Sequence, residues 1–276
     1  MIMKLLTLNT HSLIEDEYEK KCLIFAREIV KIKPDVIALQ EVNQGVNSPL
    51  CPSPESVGFI KGDNFIPLKI DNHALKIAKL LKEQGENYFF TWAGIKCGYD
   101  KFDEGLAVFS NAPIDKIKAF YISKGTDYKN FRTRKALSVK IGDRIFCCVH
   151  TGWKEDKEEP FSYQLESLDR NLPPKTTEDI FLMGDFNAPD NEEDGAYSDI
   201  LKSGWLDTYL LAKEKGEGST VFGKIDGWDN KNKKRIDYIF SNHNIRVFSS
   251  KVIFDGKNTE KVSDHCGVLI DTADTL

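Results

Sequence analysis

Each of four short apolar runs of the sequence is followed closely by side chains that could do chemistry. These side chains are Asn9, Glu41, His150, Asp185 and Asn187. Two later apolar runs are preceded or entered by further groups of this kind, which are Asp237, Asp264 and His265. Carboxylates and amides can bind a hard divalent cation, and carboxylates and imidazoles can move protons to and from water.

Three of these residues carry oxygen atoms of the type that magnesium prefers. Glu41, Asn9 and Asp264 are hard donors, which Mg²⁺ or Mn²⁺ accepts while keeping some of its water molecules. Cysteine is absent from the ends of these apolar runs and histidine is scarce there, which argues against zinc. The expected cofactor is therefore Mg²⁺, for which Mn²⁺ could substitute.

Each of these residues taken alone also has an ordinary structural explanation. The segment from Gly184 to Asn187 could be a simple strand-to-turn junction, since glycine, aspartate and asparagine all favour turns. Asp237 could pair with Arg235 on the open face of a strand, and His150 could be a hydrogen-bonded residue at a rim. Folding alone does not explain why all of them stand next to apolar runs, so we interpret the set as one functional site.

The apolar runs have the length and β-branched content of strands, and three segments between them have helical spacing. The predicted strands cover residues 5–8, 36–39, 106–109, 137–141, 145–149, 180–183, 236–240 and 268–270. The predicted helices cover residues 17–33, 72–84 and 160–171. Residues 43–71 contain four prolines and are predicted to form an ordered loop insertion.

This order of elements favours an α/β fold in which two mixed sheets form a sandwich with helices on its outer faces. No repeat, low-complexity tract or linker divides the chain, so residues 1–276 are predicted to form a single catalytic domain. In antiparallel neighbours the start of one strand lies beside the end of the next. The groups at the strand ends are therefore expected to line one pocket at one edge of the sandwich.

The bulk composition narrows the kind of partner. There are 43 acidic and 38 basic residues, and the resulting net charge of -5 disfavours a general nucleic-acid binder. The six cysteines are scattered without zinc-ligand spacing, as expected for reduced thiols in the cytoplasm. No segment has the pattern of a signal peptide or a membrane span, so no membrane partner is expected.

The set of motifs resembles that of the endonuclease/exonuclease/phosphatase superfamily, which includes abasic-site endonucleases, bacterial sphingomyelinases, inositol phosphate phosphatases and sugar-phosphate phosphatases. The matching segments are residues 6–9, 38–41, 149–151, 184–187, 235–238 and 263–265. They span nearly the whole chain in the order found in the superfamily. The resemblance implies a four-layer α/β/β/α sandwich and a metal-dependent phosphoric ester hydrolase.

The resemblance also implies a role for each polar residue around the metal and the attacking water. Glu41 and Asn9 would hold the principal divalent ion, with Asp264 near it or near a second ion. His265, oriented by Asp237, and Asp185 would act around the attacking water. The residues that would contact the phosphoryl oxygens are His150 and Asn187.

Other phosphatase chemistries are poorly supported by the sequence. Neither Cys147 nor Cys148 has an arginine six positions later, as a cysteine phosphatase loop requires. Asp185 lacks a second aspartate two residues on, which disfavours an aspartyl-phosphate intermediate. Gly184 and Asp185 are not followed by Gly-Asn-His, which disfavours the calcineurin-like class. Direct attack by an activated water is the remaining route.

The substrate expected from the sequence is a small phosphorylated sugar. Arg134 is the best candidate for a phosphate contact, because its planar fork suits phosphate oxygens. Trp153 and Trp228 are expected near the rim, where aromatic rings often hold a sugar. Through residues 9–12 and 98–105 the chain is similar to the compact cytosolic bacterial group that includes a maltose-6'-phosphate phosphatase, which implies phosphomonoester hydrolysis on a substrate such as maltose 6'-phosphate.

Three alternatives stay open at this point. A DNA endonuclease acting at abasic sites would need a cationic groove that spans several phosphates, which the net charge of -5 makes less favourable. A sphingomyelinase-like phosphodiesterase would need an exposed apolar hairpin and, usually, an export signal. A protein that binds phosphoesters without turnover would have lost part of the acid, base and metal set.

Overall fold

Two β-sheets packed face to face form the centre of the fold in the computed structural model, which describes residues 2–63, 66–223 and 233–273. The strands of the first sheet, in spatial order, are β10 (Glu214–Lys215), β12 (Val247–Ile253), β13 (Gly267–Ala273), β1 (Ile2–Asn9), β2 (Val36–Gly45), β4 (Phe102–Ser110) and β3 (Phe89–Gly98). Those of the second sheet are β5 (Lys116–Tyr121), β6 (Lys135–Ile141), β7 (Arg144–His150), β8 (Asp179–Asp185), β11 (Asp237–Ser241) and β9 (Leu206–Asp207).

Helices cover the outer face of each sheet. They are α1 (Tyr18–Ile32), α2 (His73–Glu83), α3 (Phe161–Asn171), α4 (Ala196–Lys202) and α5 (Thr208–Leu211). Side chains of α1 and α2 pack against the first sheet, and those of α3 and α4 pack against the second. The prediction of a four-layer α/β/β/α sandwich with two mixed sheets is thus confirmed.

Local sequence signals explain where α2 begins and where α1 ends. Asn72 caps α2, since its side-chain oxygen accepts a hydrogen bond from Leu75 N at 3.2 Å. At the C-terminal end of α1, Lys33 adopts a left-handed φ of 53° and donates its N–H to Ile29 O at 2.8 Å. Pro34 follows at once and cannot continue the helix.

The alternation of side chains along the central strands builds the core on both faces of each sheet. Leu5 faces the second sheet, whereas Leu6 faces the helices that cover the first. Cys147 faces α3 and Cys148 faces the first sheet, so the two neighbouring thiols act as small apolar groups on opposite faces. Burial of a large apolar side chain stabilises a fold by roughly 2 kcal/mol, so this two-sided core fixes the strand register.

The stacking of two parallel strand pairs decides where the strand ends meet. In the first sheet β1 runs parallel to β2, and in the second β7 runs parallel to β8. The two pairs lie against each other, with β1 contacting β8 and β2 contacting β7. The carboxyl ends of all four strands therefore lie at one edge of the sandwich.

The segment between β2 and α2 is ordered around a buried lysine. Lys69 Nζ lies 2.6 Å from Asp103 Oδ2 and donates to the carbonyl oxygens of Gly45 and Val46. A short 3₁₀ turn at Pro54–Val57 and a bridge between Leu50 and Lys69 add further structure. These contacts agree with the prediction of an ordered loop insertion.

Among the described helices, none is both long enough and apolar enough to cross a bilayer.

We predict that a buried histidine makes the fold sensitive to acid. His73, the first residue of α2, packs against α1. Its Nδ1 lies 3.0 Å from Tyr18 Oη, and burial lowers its pKa to about 3. Its pKa is thus lower in the folded chain than in the unfolded one. The stability that this difference contributes is complete above the unfolded pKa and falls as the pH drops below it. Between pH 7 and pH 5 the loss is about 2 kcal/mol.

Urea unfolding of the native chain and of His73→Gln at both pH values measures this effect, since glutamine keeps a polar partner for Tyr18. The variant should lose about 2 kcal/mol less on acidification than the native chain. An equal loss in the two proteins would show that His73 does not contribute.

Candidate active site

The side-chain amide of Asn9 joins the two sheets where their strands end. Asn9, the last residue of β1, donates its Nδ2 to Glu41 Oε1 at 2.8 Å and to Asp185 Oδ2 at 3.1 Å. Glu41 belongs to β2 in the same sheet, whereas Asp185 ends β8 in the other. Asn9 Oδ1 in turn accepts the backbone N–H of His11 at 3.2 Å. The contact therefore fixes two carboxylates from different sheets beside each other.

An irregularity in β2 aims the Glu41 side chain. The pairing of β2 with β4 shifts register between Leu39 and Val42, and Glu41 has a positive φ of 51°. A non-glycine residue in this conformation is strained, and such strain is frequent at functional sites. As a result Glu41 departs from the regular alternation of the strand and lines a pocket.

A histidine and two aspartates meet on the side of the second sheet. Asp185 and Asp237 stand opposite each other in the antiparallel pairing of β8 and β11. His265 Nδ1 donates to Asp237 Oδ2 at 2.9 Å, and its Nε2 lies 3.8 Å from Asp185 Oδ2. His150, at the end of β7, places its Nε2 3.6 Å from the same Asp185 oxygen. One carboxylate oxygen thus lies near two imidazole nitrogens.

The turn after β8 is built to hold Asp185 and Asn187. The Asn187 N–H donates to Asp185 Oδ1 at 2.9 Å, and Asn187 Nδ2 donates to Thr151 O at 3.0 Å. Asn187 has a positive φ of 47°, which asparagine tolerates better than most residues. Gly184 precedes the turn with a φ of 155°, and an added Cβ would lie 1.9 Å from Val149 O. A side chain at position 184 would push β8 away from β7.

Burial and neighbouring charges shift the pKa values of this group in different directions. Burial raises the pKa of Asp185 to about 6, and the nearby charge of Asp237 adds to this effect. Burial lowers the pKa of His265, but the charges of Asp237 and Asp185 outweigh it and raise the pKa well above its usual value. The pKa of His150 is held well below its usual value by burial and then by the charge of Arg134.

The surroundings of Glu41 suit a divalent cation. Glu41 forms no ion pair within the described part of the chain, and burial together with the charge of Glu104 raises its pKa to about 7. A cation at this point would relieve the repulsion between the carboxylates. The donors are oxygen atoms of the type that Mg²⁺ prefers, so the residues present fit the predicted ion.

Asp264 lies at the pocket within a second group of possible ligands. The ligand atoms of His11, Glu15 and Asp264 all lie within 4.8 Å of one another. His11 Nδ1 donates to Glu15 Oε1 at 2.8 Å, and the same oxygen accepts the backbone N–H of Asp264 at 3.1 Å. Glu15 also pairs with Lys21. The sequence did not single out Glu15, because it lies in a turn where an acidic residue is ordinary.

The strand ends open into a pocket of about 270 Å³. Arg134 reaches it while being only 3% exposed, and its guanidinium forms no ion pair with any described residue. Arg134 Nη1 donates to Phe131 O at 2.6 Å, whereas its Nε is buried without a hydrogen-bond partner in the described structure. The site therefore contains a desolvated cation that makes no direct ion pair with a described residue.

The structure brings most of the predicted residues together. Eight of them line the pocket, namely Glu41, Arg134, His150, Trp153, Asp185, Asn187, Asp264 and His265. Asn9 and Asp237 are not part of the pocket lining, but they form hydrogen bonds to Glu41 and His265, which are. Trp228 lies outside the described residues.

Residues 129–135 and 231–235 are two basic segments of the sequence, and among their described cationic residues Arg134 alone lines the pocket. Arg132 pairs with Asp156 at 2.8 Å, and Lys135 Nζ donates to Gly94 O at 2.8 Å. In the second basic segment Arg235 pairs with Asp190 and Asp207 away from the pocket, not with Asp237.

Sequence reasoning missed an ion pair in the pocket wall. Lys96 Nζ lies 3.1 Å from Glu104 Oε1, and both side chains are buried. The two residues stand opposite each other on β3 and β4, next to a register shift between Gly94 and Lys96. The strand β3 was not predicted, so no signal in the sequence could have placed them together.

Comparison with known proteins assigns the fold and the motifs to one group. The model of the Endonuclease/Exonuclease/phosphatase family matches residues 6–265. A solved endonuclease/exonuclease/phosphatase family protein from Leptotrichia buccalis is 34% identical, with a TM-score of 0.87 over 98% of this chain and 99% of that one. No curated protein matches the sequence significantly.

Two more distant solved structures share the fold. A mannosyl-6-phosphatase from Bacteroides thetaiotaomicron is 16% identical, with a TM-score of 0.64 over 98% of this chain and 99% of that one. A 3' phosphatase from Neisseria bound to a product DNA hairpin is 15% identical, with a TM-score of 0.61 over 98% of this chain and 99% of that one.

We predict that Gly184→Ala destabilises the fold by about 3 kcal/mol or more, because the new methyl group would overlap Val149 O and because the positive φ disfavours a side chain. Gly142→Ala is the matched control. Gly142 also has a positive φ, of 60°, but nothing lies within 4 Å of its added Cβ, so the change should cost only about 1 kcal/mol. Thermal or urea unfolding of both variants measures the difference, and equal losses would contradict the role of the close contact.

Proposed function

The chain belongs to the endonuclease/exonuclease/phosphatase family, and on that premise we propose that it is a Mg²⁺-dependent phosphomonoesterase that releases phosphate from a small phosphorylated sugar. Members of this family are hydrolases that act on phosphoesters. The observation that carries the proposal is the buried guanidinium of Arg134, which forms no ion pair with a described residue and faces the same small pocket as Asp185 and His265. A terminal phosphoryl group is dianionic and small enough to enter this pocket.

The charge around the pocket favours a small substrate over a nucleic acid. A duplex would need several unpaired cations along a groove. Arg132 pairs with Asp156 at 2.8 Å, and Lys154 pairs with Asp199 at 2.9 Å, so these two cations are already neutralised. The net charge of -5 acts in the same direction. One distant structural neighbour is a mannosyl-6-phosphatase and another is a phosphatase bound to DNA, so the neighbours allow both substrate classes.

Glu41 would hold the divalent ion, with Asn9 against its carboxylate and Asp264 on the same side of the pocket. When bound, Mg²⁺ supplies positive charge to a non-bridging phosphoryl oxygen and lowers the barrier to attack. The Asn9 amide keeps Glu41 next to Asp185. The carboxylate proposed to hold the metal and the carboxylate proposed to accept the proton of the water therefore keep a fixed relative position.

Three residues would bind the phosphoryl oxygens. Arg134 supplies a charged fork, His150 supplies a neutral imidazole, and Asn187 supplies an amide that the turn after β8 fixes in place. Donors that are fixed before the substrate arrives stabilise developing charge without reorganisation.

Asp185 and His265 would act on the attacking water. Asp185 Oδ2 would accept the proton of the water as its oxygen bonds to phosphorus and the bond to the sugar oxygen breaks. His265 is flanked by the carboxylates of Asp237 and Asp185, a setting that favours the imidazolium form. As a fixed cation it would stabilise the negative charge that grows on the phosphoryl group.

We also propose a cytoplasmic location. All six cysteines are free thiols, which is the state expected in a reducing compartment.

A panel of substrates tests the proposed function. Phosphate release from maltose 6'-phosphate and other hexose 6-phosphates should occur with Mg²⁺ and stop with EDTA, at a kcat/KM of about 10⁴ M⁻¹ s⁻¹ or more, the lower end of the usual enzyme range. Duplex DNA with an abasic site and DNA with a 3' phosphate should be processed much more slowly. Cleavage of abasic duplex without sugar-phosphate hydrolysis would establish the endonuclease alternative instead.

Two substitutions should separate metal binding from water activation. In Glu41→Gln the Mg²⁺ concentration for half-maximal activity should rise at least about tenfold, because a charged ligand is lost. In His265→Ala the kcat should fall by about two to four orders of magnitude while the metal requirement changes little. Titration of Mg²⁺ against initial rate measures both. An unchanged titration for Glu41→Gln would place the ion elsewhere, and near-normal turnover of His265→Ala would remove it from the mechanism.

A further inference from the structure

Two aromatic side chains stand exposed at the pocket. Tyr99 is 47% exposed and Phe131 is 53% exposed, and both line the pocket that Asp185 and His265 also line. Two exposed large aromatic rings at the mouth of one polar pocket form an apolar surface of the kind that binds a ligand. Neither residue has a role in the chemistry proposed above.

Tyr99 occupies a backbone position that suits a different residue. It lies in the hairpin turn between β3 and β4, where Lys101 N donates to Gly98 O at 3.1 Å. The two central residues, Tyr99 and Asp100, have positive φ angles of 50° and 54°. Hairpin turns with two positive φ angles favour asparagine and glycine, so a tyrosine here stores strain. The strain points to a use for the ring.

His11 holds the Tyr99 ring from one side. Tyr99 Oη lies 3.5 Å from His11 Nε2, and the two rings meet edge to face with centroids 6.4 Å apart. His11 also lines the pocket, so a polar group stands beside the aromatic surface. A sugar ring needs this combination of an apolar face and nearby hydrogen-bonding groups.

Phe131 is held by the cations of the site. Its carbonyl oxygen accepts hydrogen bonds from Lys96 Nζ at 2.9 Å and from Arg134 Nη1 at 2.6 Å. The guanidinium of Arg132 covers its ring at 4.4 Å from the centroid, and Asp156 fixes that guanidinium. The position of the Phe131 ring is therefore coupled to the arginine proposed to bind the phosphate.

A hydrogen bond joins the two segments that carry these rings. Cys97 N, at the end of β3, donates to Tyr128 O at 2.7 Å. Tyr128 Oη also donates to Asp103 at the start of β4. The hairpin with Tyr99 and the loop with Phe131 are thus tied together behind the rings, so both aromatic surfaces are fixed before a substrate arrives.

We propose that Tyr99 and Phe131 form an aromatic subsite that binds the sugar ring of the substrate while its phosphoryl group lies against Arg134. This inference rests on the proposed function, since it concerns the part of the substrate that leaves. It assigns substrate specificity to two residues outside the catalytic group and predicts that phosphate esters without a ring are poor substrates.

The test compares a substrate that has a ring with one that has none. Initial rates are measured on maltose 6'-phosphate and on glycerol phosphate for the native chain, Tyr99→Asn and Phe131→Ser. In each variant the ratio of kcat/KM for maltose 6'-phosphate to kcat/KM for glycerol phosphate should fall about tenfold, the size of one aromatic contact. Tyr99→Phe keeps the ring and should restore the ratio to within about threefold.

Leu210→Ser is the control for a change in an exposed apolar side chain. Leu210 is 53% exposed in α5 and does not line the pocket, so the ratio should stay as in the native chain. Asparagine suits the turn at position 99, so Tyr99→Asn should unfold at the same urea concentration as the native chain or a higher one.

The outcomes separate the two proposals. A ratio that is unchanged in Tyr99→Asn and Phe131→Ser, with good activity on maltose 6'-phosphate, would overturn the aromatic subsite and leave the proposed function standing. Absence of phosphate release from every sugar phosphate by the native chain would overturn both. Thymidine monophosphate is assayed in parallel as a third substrate. A fall in kcat/KM for thymidine monophosphate alone would show that the rings bind a nucleobase, which would also overturn the sugar subsite.

Discussion

Repulsion between buried carboxylates is the constraint on which the rest of this site depends. The charge of Glu104 helps to raise the pKa of Glu41, and the charge of Asp237 helps to raise the pKa of Asp185. Glu41 is half-buried, and the other three side chains are buried. Burial of several like charges is costly unless each has a partner. The protein supplies His265 to Asp237 and Lys96 to Glu104. Among the described residues, the side chain of Glu41 has the Asn9 amide and no ion-pair partner, which leaves a deficit of positive charge at the position proposed for the metal.

The sandwich makes this concentration of charge tolerable, because the groups sit at the rim of a large apolar core. Leu5 and Ala38 from one sheet and Met183 and Ile239 from the other pack into the layer between the sheets. This packing sets the register of the central strands, and the register determines which side chains lie at the strand ends. A shift of one residue in β8 would turn Asp185 away from Asn9, so the core and the site cannot be varied independently.

Sequence reasoning succeeded where a residue's position depends only on its own strand. Asn9, His150 and Asp185 directly end apolar runs, and runs that end at one edge of a sandwich bring such residues together. It failed where the position depends on a partner strand. The strands β3, β5 and β12 were not predicted, since β3 contains glycine within a continuous buried run and β12 is rich in serine. The Lys96–Glu104 pair was missed for that reason.

Backbone irregularities were equally invisible in the sequence, although they determine where several functional side chains point. Glu41 was predicted as a ligand from its residue type, but its positive φ arises from a shift in pairing between two strands that no local pattern reports. Asp264 was predicted to lie near the principal ion or near a second one. It lines the same pocket as Glu41, and its backbone N–H donates to Glu15, a contact that no local pattern reports.

Ten non-glycine residues of the described chain have a positive φ, and four of them lie at the pocket. Glu41, Asn187, His11 and Tyr99 all have positive φ angles, and all four line the same pocket. Each such residue costs of order 1 kcal/mol, which the core must offset. Relaxed alternatives exist for Tyr99, since asparagine or glycine would fit its turn without strain. A fold that retains tyrosine there accepts lower stability in exchange for a ring at the pocket mouth, which is the relation expected when binding, rather than folding, determines the residue.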